Sequence, residues 1–290
     1  MDFRNAKELL KVCQEQNLSI SAVMLQRELT EGEQDPEETD RKMDRVLEIM
    51  KSAASTPIHT PVKSMGGLIG GEAKKKSQIT RMPEKVFAGI FWNELSFTRW
   101  QLWETNASMG VIVASPTAGS AGIVPGLLLA LLETYELSDE QIKQGLYNAS
   151  AIGYLAMRNA TVAGAVGGCQ AEVGIASAMA ASATVELMGG SPEQSLAAAS
   201  TVLMNMLGLV CDPVGGLVEY PCQNRNAAGV ANATIAAEIA LSGVRQLIPF
   251  DEMLEAVYTV GKRLPAELRE TALGGCATTP SACAACHMCD

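Results

Sequence analysis

Two stretches, Gly167-Gly168-Cys169-Gln170-Ala171-Glu172-Val173-Gly174 and Cys211-Asp212-Pro213-Val214-Gly215-Gly216-Leu217-Val218-Glu219-Tyr220-Pro221-Cys222-Gln223-Asn224-Arg225-Asn226, hold three cysteines among glycines, prolines and polar residues. What joins them decides the fold class. The alanine-rich run Ala171–Met188 leaves directly from Cys169, and alanine is the strongest helix former. Ser191-Pro192-Glu193-Gln194 then fits a capping box, a serine cap with Gln three residues later. The helix it starts carries Leu196, Leu203, Leu207 and Val210 on one face and delivers the chain to Cys211. Both connections are helical, so the cysteines stand on loops and helix ends of a helical protein.

The thiolates suggest a chemistry. They are soft ligands suited to iron–sulfur clusters, zinc or copper(I). Three ligands rather than four leave one metal position open, as a Lewis-acid catalyst needs. On the residues alone, Cys169, Cys211 and Cys222 read equally well as three buried structural cysteines. Free cysteine is among the most buried residue types, and no close Cys-x-x-Cys pair occurs in these stretches.

Working outward, helical signals continue on both sides. Leu9, Leu10, Val12 and Cys13 form an apolar face, followed by Leu18, Ile20, Val23, Met24 and Leu25. Asp35-Pro36-Glu37-Glu38 reads as a helix start with Asp as cap, and Met43, Val46, Leu47 and Met50 continue at helical spacing. Pro57, Pro61 and four glycines between 66 and 71 predict that residues 55–82 are not regular helix. In this region Ser64-Met65-Gly66-Gly67-Leu68-Ile69-Gly70-Gly71 offers consecutive amides that can form an anion-binding nest; read otherwise, it is a flexible connector. His59 and Lys63 are the nearby groups able to act as a base. A further helix from Met82-Pro83-Glu84 carries Phe87, Phe91, Trp92, Phe97, Trp100 and Trp103, read as core or subunit interface. Asn106 to Gly126 is a second glycine-rich loop, and Pro125 opens an apolar helix over Gly126–Tyr135. Ser138-Asp139-Glu140-Gln141 repeats the capping box, and Asn226–Ile248 and Phe250–Leu264 complete the helices. No strand is expected. The fold class is an all-α, multi-helix bundle with glycine-rich loops converging on a cluster site. Residues 1–55 form an N-terminal helical segment packing on the body or a partner, 56–273 the catalytic body, and 274–290 a cysteine-rich tail.

Composition agrees. The chain is 48% hydrophobic but only 4% aromatic, which favours cores of Ala, Leu, Val, Ile and Met packed between helices. Residues 1–100 carry 15 basic and 15 acidic side chains, whereas 101–290 carry 7 and 17. The acidic second part argues against nucleic acid as a partner and makes each arginine there a candidate for a specific role. The opening Met1-Asp2-Phe3-Arg4-Asn5 has no charged-then-apolar run, so no signal peptide is expected. The longest apolar run, Ala121–Leu132, is broken by Gly122, Pro125 and Gly126, so no membrane span is expected and the protein is expected to be cytoplasmic. Eight cysteines in a reducing compartment point to metal or catalysis rather than disulfides.

The two cysteine stretches, with Ser64–Gly71 and Ser115-Pro116-Thr117-Ala118-Gly119-Ser120-Ala121-Gly122-Ile123-Val124-Pro125-Gly126, resemble the α subunit of the iron–sulfur-dependent L-serine dehydratases (L-serine ammonia-lyases) of the two-chain type. The resemblance runs from about Ile58 to Pro280. It implies a lyase of amino-acid degradation and gluconeogenesis that converts L-serine to pyruvate and ammonia. A [4Fe-4S] cluster held by Cys169, Cys211 and Cys222 would serve as Lewis acid, oxygen-sensitive and without pyridoxal phosphate. The two glycine loops (Ser64, Gly66 and Gly67; Asn106, Ser115, Thr117, Ala118, Gly119 and Ser120) would hold the carboxylate and amino group of serine. Arg225 would pair the carboxylate, or else form a salt bridge to Glu172 or Glu219. The two-chain form implies a heteromer with a β subunit, which can also supply the base.

The tail, Gly274-Gly275-Cys276 through Cys283, Cys286 and Cys289, contains Cys-x-x-Cys-x-x-Cys. By spacing alone it suits an iron–sulfur cluster or zinc, which keeps open an electron-transfer or structural role. By resemblance to single-chain relatives, Cys289 would fold back and cap the open iron.

Overall fold

The structure, a computed structural model, describes residues 2–60, 62–75, 92 and 101–286. Among them no strand occurs, and the only extended pairing is a single parallel bridge between Cys211 and Arg269. The helices with both ends among the described residues are α1 (Ala6–Gln16), α2 (Ile20–Thr30), α3 (Pro36–His59), α4 (Val124–Tyr135), α5 (Asp139–Asn159), α6 (Gly164–Gly167), α7 (Ile175–Leu187), α8 (Pro192–Asn205), α9 (Cys222–Leu241), α10 (Phe250–Arg263) and α11 (Pro280–Ala285); residues 101–107 are also helical. The all-α expectation holds. The aromatic residues Phe87, Phe91, Phe97 and Trp100 lie outside the described residues; Trp103 is fully buried.

α7 is the axis of the bundle. Every residue from Ile175 to Val185 is buried, and the helix packs against α5, α8 and α9. Its alanines allow three neighbours to approach closely; a Leu at Ala180 would overpack this centre at about 1–3 kcal/mol. The caps form as their residues demand. The Asp35 carboxylate accepts from the Glu38 amide at 3.0 Å. Both capping boxes close reciprocally, Ser138 with Gln141 and Ser191 with Gln194. The N-terminal helices share this core: Phe3, Leu9, Ile20 and Met50 are buried in the same cluster as α4, α5, α7 and α8. Asp251 at the start of α10 accepts from the amides of Ala6 and Lys7, so α1 is capped by a residue from the far end of the chain.

One expectation is corrected. Pro57 does not end α3, which continues to His59. Proline leaves the carbonyl four residues back without its helical donor, and here that carbonyl, Ala53, accepts from the Thr105 hydroxyl at 2.7 Å. The apolar region around α4 is also longer than its glycines and proline suggest. Ala118–Tyr135 is, by length and composition, apolar enough to cross a membrane. It is 67% buried within the fold, and α4 inside it packs on α5 and α7.

Candidate metal centre

The three cysteines arrive on three different segments. Cys169 precedes a π-helical turn, Gln170–Gly174, which leads into α7; such turns are frequent at functional sites. Gln170 locks this segment. Its side-chain amide donates to the Val257 carbonyl at 2.9 Å, and its side-chain oxygen accepts from the Gly208 amide at 2.8 Å. Cys211 follows α8 and is stitched to the C-terminal segment, with its amide donating to Leu268 and its carbonyl accepting from Glu270. Cys222 opens α9, where the helix dipole favours a thiolate. All three are free and buried.

Cys169 Sγ, Cys211 Sγ and a Glu172 carboxylate oxygen all lie within 4.8 Å of one another. Cys222 stands outside that group but still interacts electrostatically with Cys169, Arg225 and Asp212. A hydrogen bond from Cys211, opposed by burial and reinforced by Arg225, holds the Cys169 thiol below its ordinary range. The same shared proton and burial push Cys211 up, and burial pushes Cys222 up. Burial also raises the Glu172 carboxyl, against a hydrogen bond from Thr117.

Arg225 ties these groups together. Its guanidinium donates to the Val210 carbonyl at 2.7 Å, reaches Cys169 Sγ at 3.5 Å and pairs with Asp212 at 2.6 Å. Burial works against its charge, but Cys169 and Asp212 outweigh it. The partner is therefore neither Glu172 nor Glu219 but Asp212, adjacent to Cys211. Asp212 is 2% exposed, and its second oxygen accepts from the Cys276 amide at 2.6 Å.

The first glycine loop also has an occupant. The Glu219 carboxylate accepts from the Ser64 hydroxyl at 2.7 Å and from the amides of Gly66 at 2.5 Å and Leu68 at 3.0 Å. The nest expected for serine binds the protein's own carboxylate, while the Gly67 amide turns back to the Ser64 carbonyl. The second loop is held by asparagines. Asn106 donates to the Ala118 carbonyl, and Asn226 donates to the Gly119 carbonyl and accepts from the Gly122 amide. Ser115 and Ser120 are buried; Thr117 and Ser120 bond to each other at 3.2 Å, and Thr117 faces Glu172. His59 and Lys63 are exposed, and among the described contacts neither touches the cysteines.

The tail is folded onto the site as far as it is described. Residues 275–278 form a 3-10 turn beside residues 214–216, and α11 follows. Gly275 has φ +60°, and a Cβ there would collide with an Asp212 carboxylate oxygen, so only glycine allows this approach. Cys286 is buried and lines a cavity of about 450 Å³ with Met65, Gly66, Leu68, Val214, Gly215 and Leu217. Cys289 lies outside the described residues. Among the described residues, Cys169, Glu172 and Cys211 are the one set of three such side chains placed closely enough that they could hold a metal ion.

Glu172, Asp212, Glu219 and Asn226 are the site residues whose present roles the sequence did not reveal. All four lie in the two stretches that carry the cysteines, which was the available signal.

With this geometry in place, the comparisons with known proteins are decisive. The family model for the serine dehydratase alpha chain matches residues 15–277. The chain belongs to that family. It is 46% identical over 279 residues to the probable L-serine dehydratase alpha chain of Bacillus subtilis, covering 96% of this chain and 92% of the relative. It is 43% identical to the L-serine dehydratase alpha chain of Peptoniphilus asaccharolyticus, covering 95% and 94%. An L-serine dehydratase of Helicobacter pylori is 34% identical over 96% of this chain, but the chain spans only 62% of that longer protein. The family match takes in the three body cysteines and both glycine loops. It ends before Cys283 and Cys286, so those tail cysteines stand outside what the family model describes.

Proposed function

We propose that this chain is the α subunit of an L-serine ammonia-lyase and that Cys169, Cys211 and Cys222 hold a [4Fe-4S] cluster. The observation that supports the reading is the close approach of two buried free thiols, Cys169 and Cys211, with Arg225 against Cys169 and the buried Cys222 thiol within electrostatic reach of Cys169 and Arg225. A buried set of thiols without a disulfide suits a soft metal centre. The neighbouring guanidinium compensates the negative charge that ligation places there. When bound, the cluster supplies a Lewis acid for the hydroxyl and carboxylate oxygens of serine.

The chain's own residues do the rest. Gln170 and Arg225 fix the segments that bear Cys169 and Cys211. Asn106 and Asn226 hold the second loop, whose Thr117 bonds Glu172 and whose Gly119 lies against its carboxylate; Ser115, Ala118 and Ser120 are assigned to the amino acid by resemblance. Glu172, its carboxyl raised by burial, stands beside the thiols of Cys169 and Cys211. Cys289 is assigned the capping position by resemblance, and the stitched segment 268–276 fixes where the tail begins its approach. The family name and the relatives' names support serine as substrate and a β subunit as partner.

The test is anaerobic reconstitution with the β chain, measuring iron, acid-labile sulfide, visible absorbance and pyruvate formed from serine. A brown protein with iron and sulfide that produces pyruvate upholds the proposal. A colourless protein holding zinc alone overturns it.

A further inference from the structure

We propose that Glu219 is a positioning residue: its carboxylate closes the first glycine-rich loop from within and straps it to the segment that carries Cys222, so Ser64 serves the protein rather than the substrate. The clamp is complete on both sides. Glu219 is 1% exposed, and no ion pair reaches it among the described residues. A buried carboxylate needs other compensation. It receives three donors from one short loop, the Ser64 hydroxyl and the Gly66 and Leu68 amides. Ser64 in turn accepts from the Ile69 amide at 3.2 Å, so its hydroxyl donates and accepts within the clamp.

The loop closes tightly on this occupant. A Cβ at Gly66 would lie 2.9 Å from the Glu219 carboxylate and 2.6 Å from Leu217. On the other side, the Glu219 carbonyl accepts from the Gln223 amide in the first turn of α9, one residue beyond Cys222. A single residue therefore bonds the loop with its side chain and the cysteine-bearing helix with its backbone. The oxygens of Glu219 fill the positions at which the loop would receive another anion, so a substrate carboxylate finds these donors taken.

Only the activity arm of the test rests on the function proposed above. Ser64→Ala, Glu219→Gln and the double variant are prepared as reconstituted holoenzyme with the β chain. Amide exchange over residues 66–69 and steady-state serine kinetics are measured on each. Glu219→Gln is expected to speed exchange over 66–69 by about ten- to hundredfold, as for loss of bonds to a charged acceptor. Iron content should be retained, and KM for serine should rise several-fold while kcat stays within about twofold. Ser64→Ala should have the smaller effect on KM and should combine less than additively with Glu219→Gln, because both weaken the same bond. Unchanged exchange in Glu219→Gln overturns the proposal. So does a KM increase from Ser64→Ala that is equal in both backgrounds, since Ser64 would then act on substrate independently of Glu219. If the unmodified holoenzyme does not deaminate serine, the functional reading falls and the exchange measurement alone decides the clamp. If Glu219→Gln does not fold, Ser64→Ala decides through the exchange of Gly66 and Leu68, whose amides bond Glu219 and not Ser64, where faster exchange upholds the clamp and unchanged exchange refutes it.

Discussion

Removing Arg225 should destabilise the protein more than removing the charge of its partner. The two residues pair at 2.6 Å with side-chain exposures of 14% for Arg225 and 2% for Asp212. Arg225→Met leaves a nearly inaccessible carboxylate without its cation and takes donors from Val210 and Cys169. Breaking a buried pair in this way costs about 3–5 kcal/mol. Asp212→Asn leaves Arg225 with the Val210 carbonyl and Cys169, and the asparagine oxygen can still accept from the Cys276 amide. Its cost should be that of one weakened charged hydrogen bond, about 1.5–3 kcal/mol. In the double variant neither charge is stranded, so it should be more stable than Arg225→Met alone. The assay is urea unfolding of the metal-free protein, kept reduced and anaerobic, with midpoints compared at constant slope. Strict additivity in the double variant, or a larger loss from Asp212→Asn than from Arg225→Met, would refute the reasoning.

Further outcomes follow from the same contacts. Cys169→Ser, Cys211→Ser and Cys222→Ser should each lose iron and visible absorbance; full cluster content in any one removes that residue from the ligand set. Cys13→Ser should keep its iron but lose about 1–3 kcal/mol of stability on burying a hydroxyl, since Cys13 is 3% exposed in the core with its thiol pushed up to about 12 by burial. Because the folded pKa of Cys169 is depressed, first by Cys211 and then by Arg225, its thiolate should persist as pH falls below the usual thiol range. Thiolate absorbance of the metal-free protein, titrated with and without Cys169→Ser, should show this, and Arg225→Met should move the midpoint upward; no movement would discount the arginine. Gly275→Ala should detach the tail from Asp212 and speed alkylation of buried Cys286, with an unchanged rate counting against the latch. Cys289→Ala should retain the cluster but lose iron faster in air if the tail caps it; lower initial iron with turnover intact would point instead to a separate tail site.

What the sequence determined by itself was local. Helix caps act within three or four residues, so Asp35, Ser138 and Ser191 announced their helices through their immediate neighbours alone. The alanine run after Cys169 announced a helix, and the clustering of cysteine, glycine and proline announced where helices stop; that this helix is the buried axis came from packing. Pro57 shows the boundary of such signals. Its effect on α3 depended on a hydroxyl far along the chain, because Thr105 supplies the bond that the proline cannot. Only the tertiary structure decided which partner each polar group takes. Arg225 had three carboxylates within its own motifs, and chain packing brought Asp212 rather than Glu172 or Glu219 against it. The amide nest of Ser64–Leu68 was legible as an anion site, but its anion is Glu219, from a segment 151 positions beyond Leu68. The cysteine spacing of the tail did not show where it docks; the approach of Gly275 to Asp212 does. Short-range backbone preferences are written in neighbouring residues, whereas charge pairing depends on which distant segments the core brings within about 3 Å.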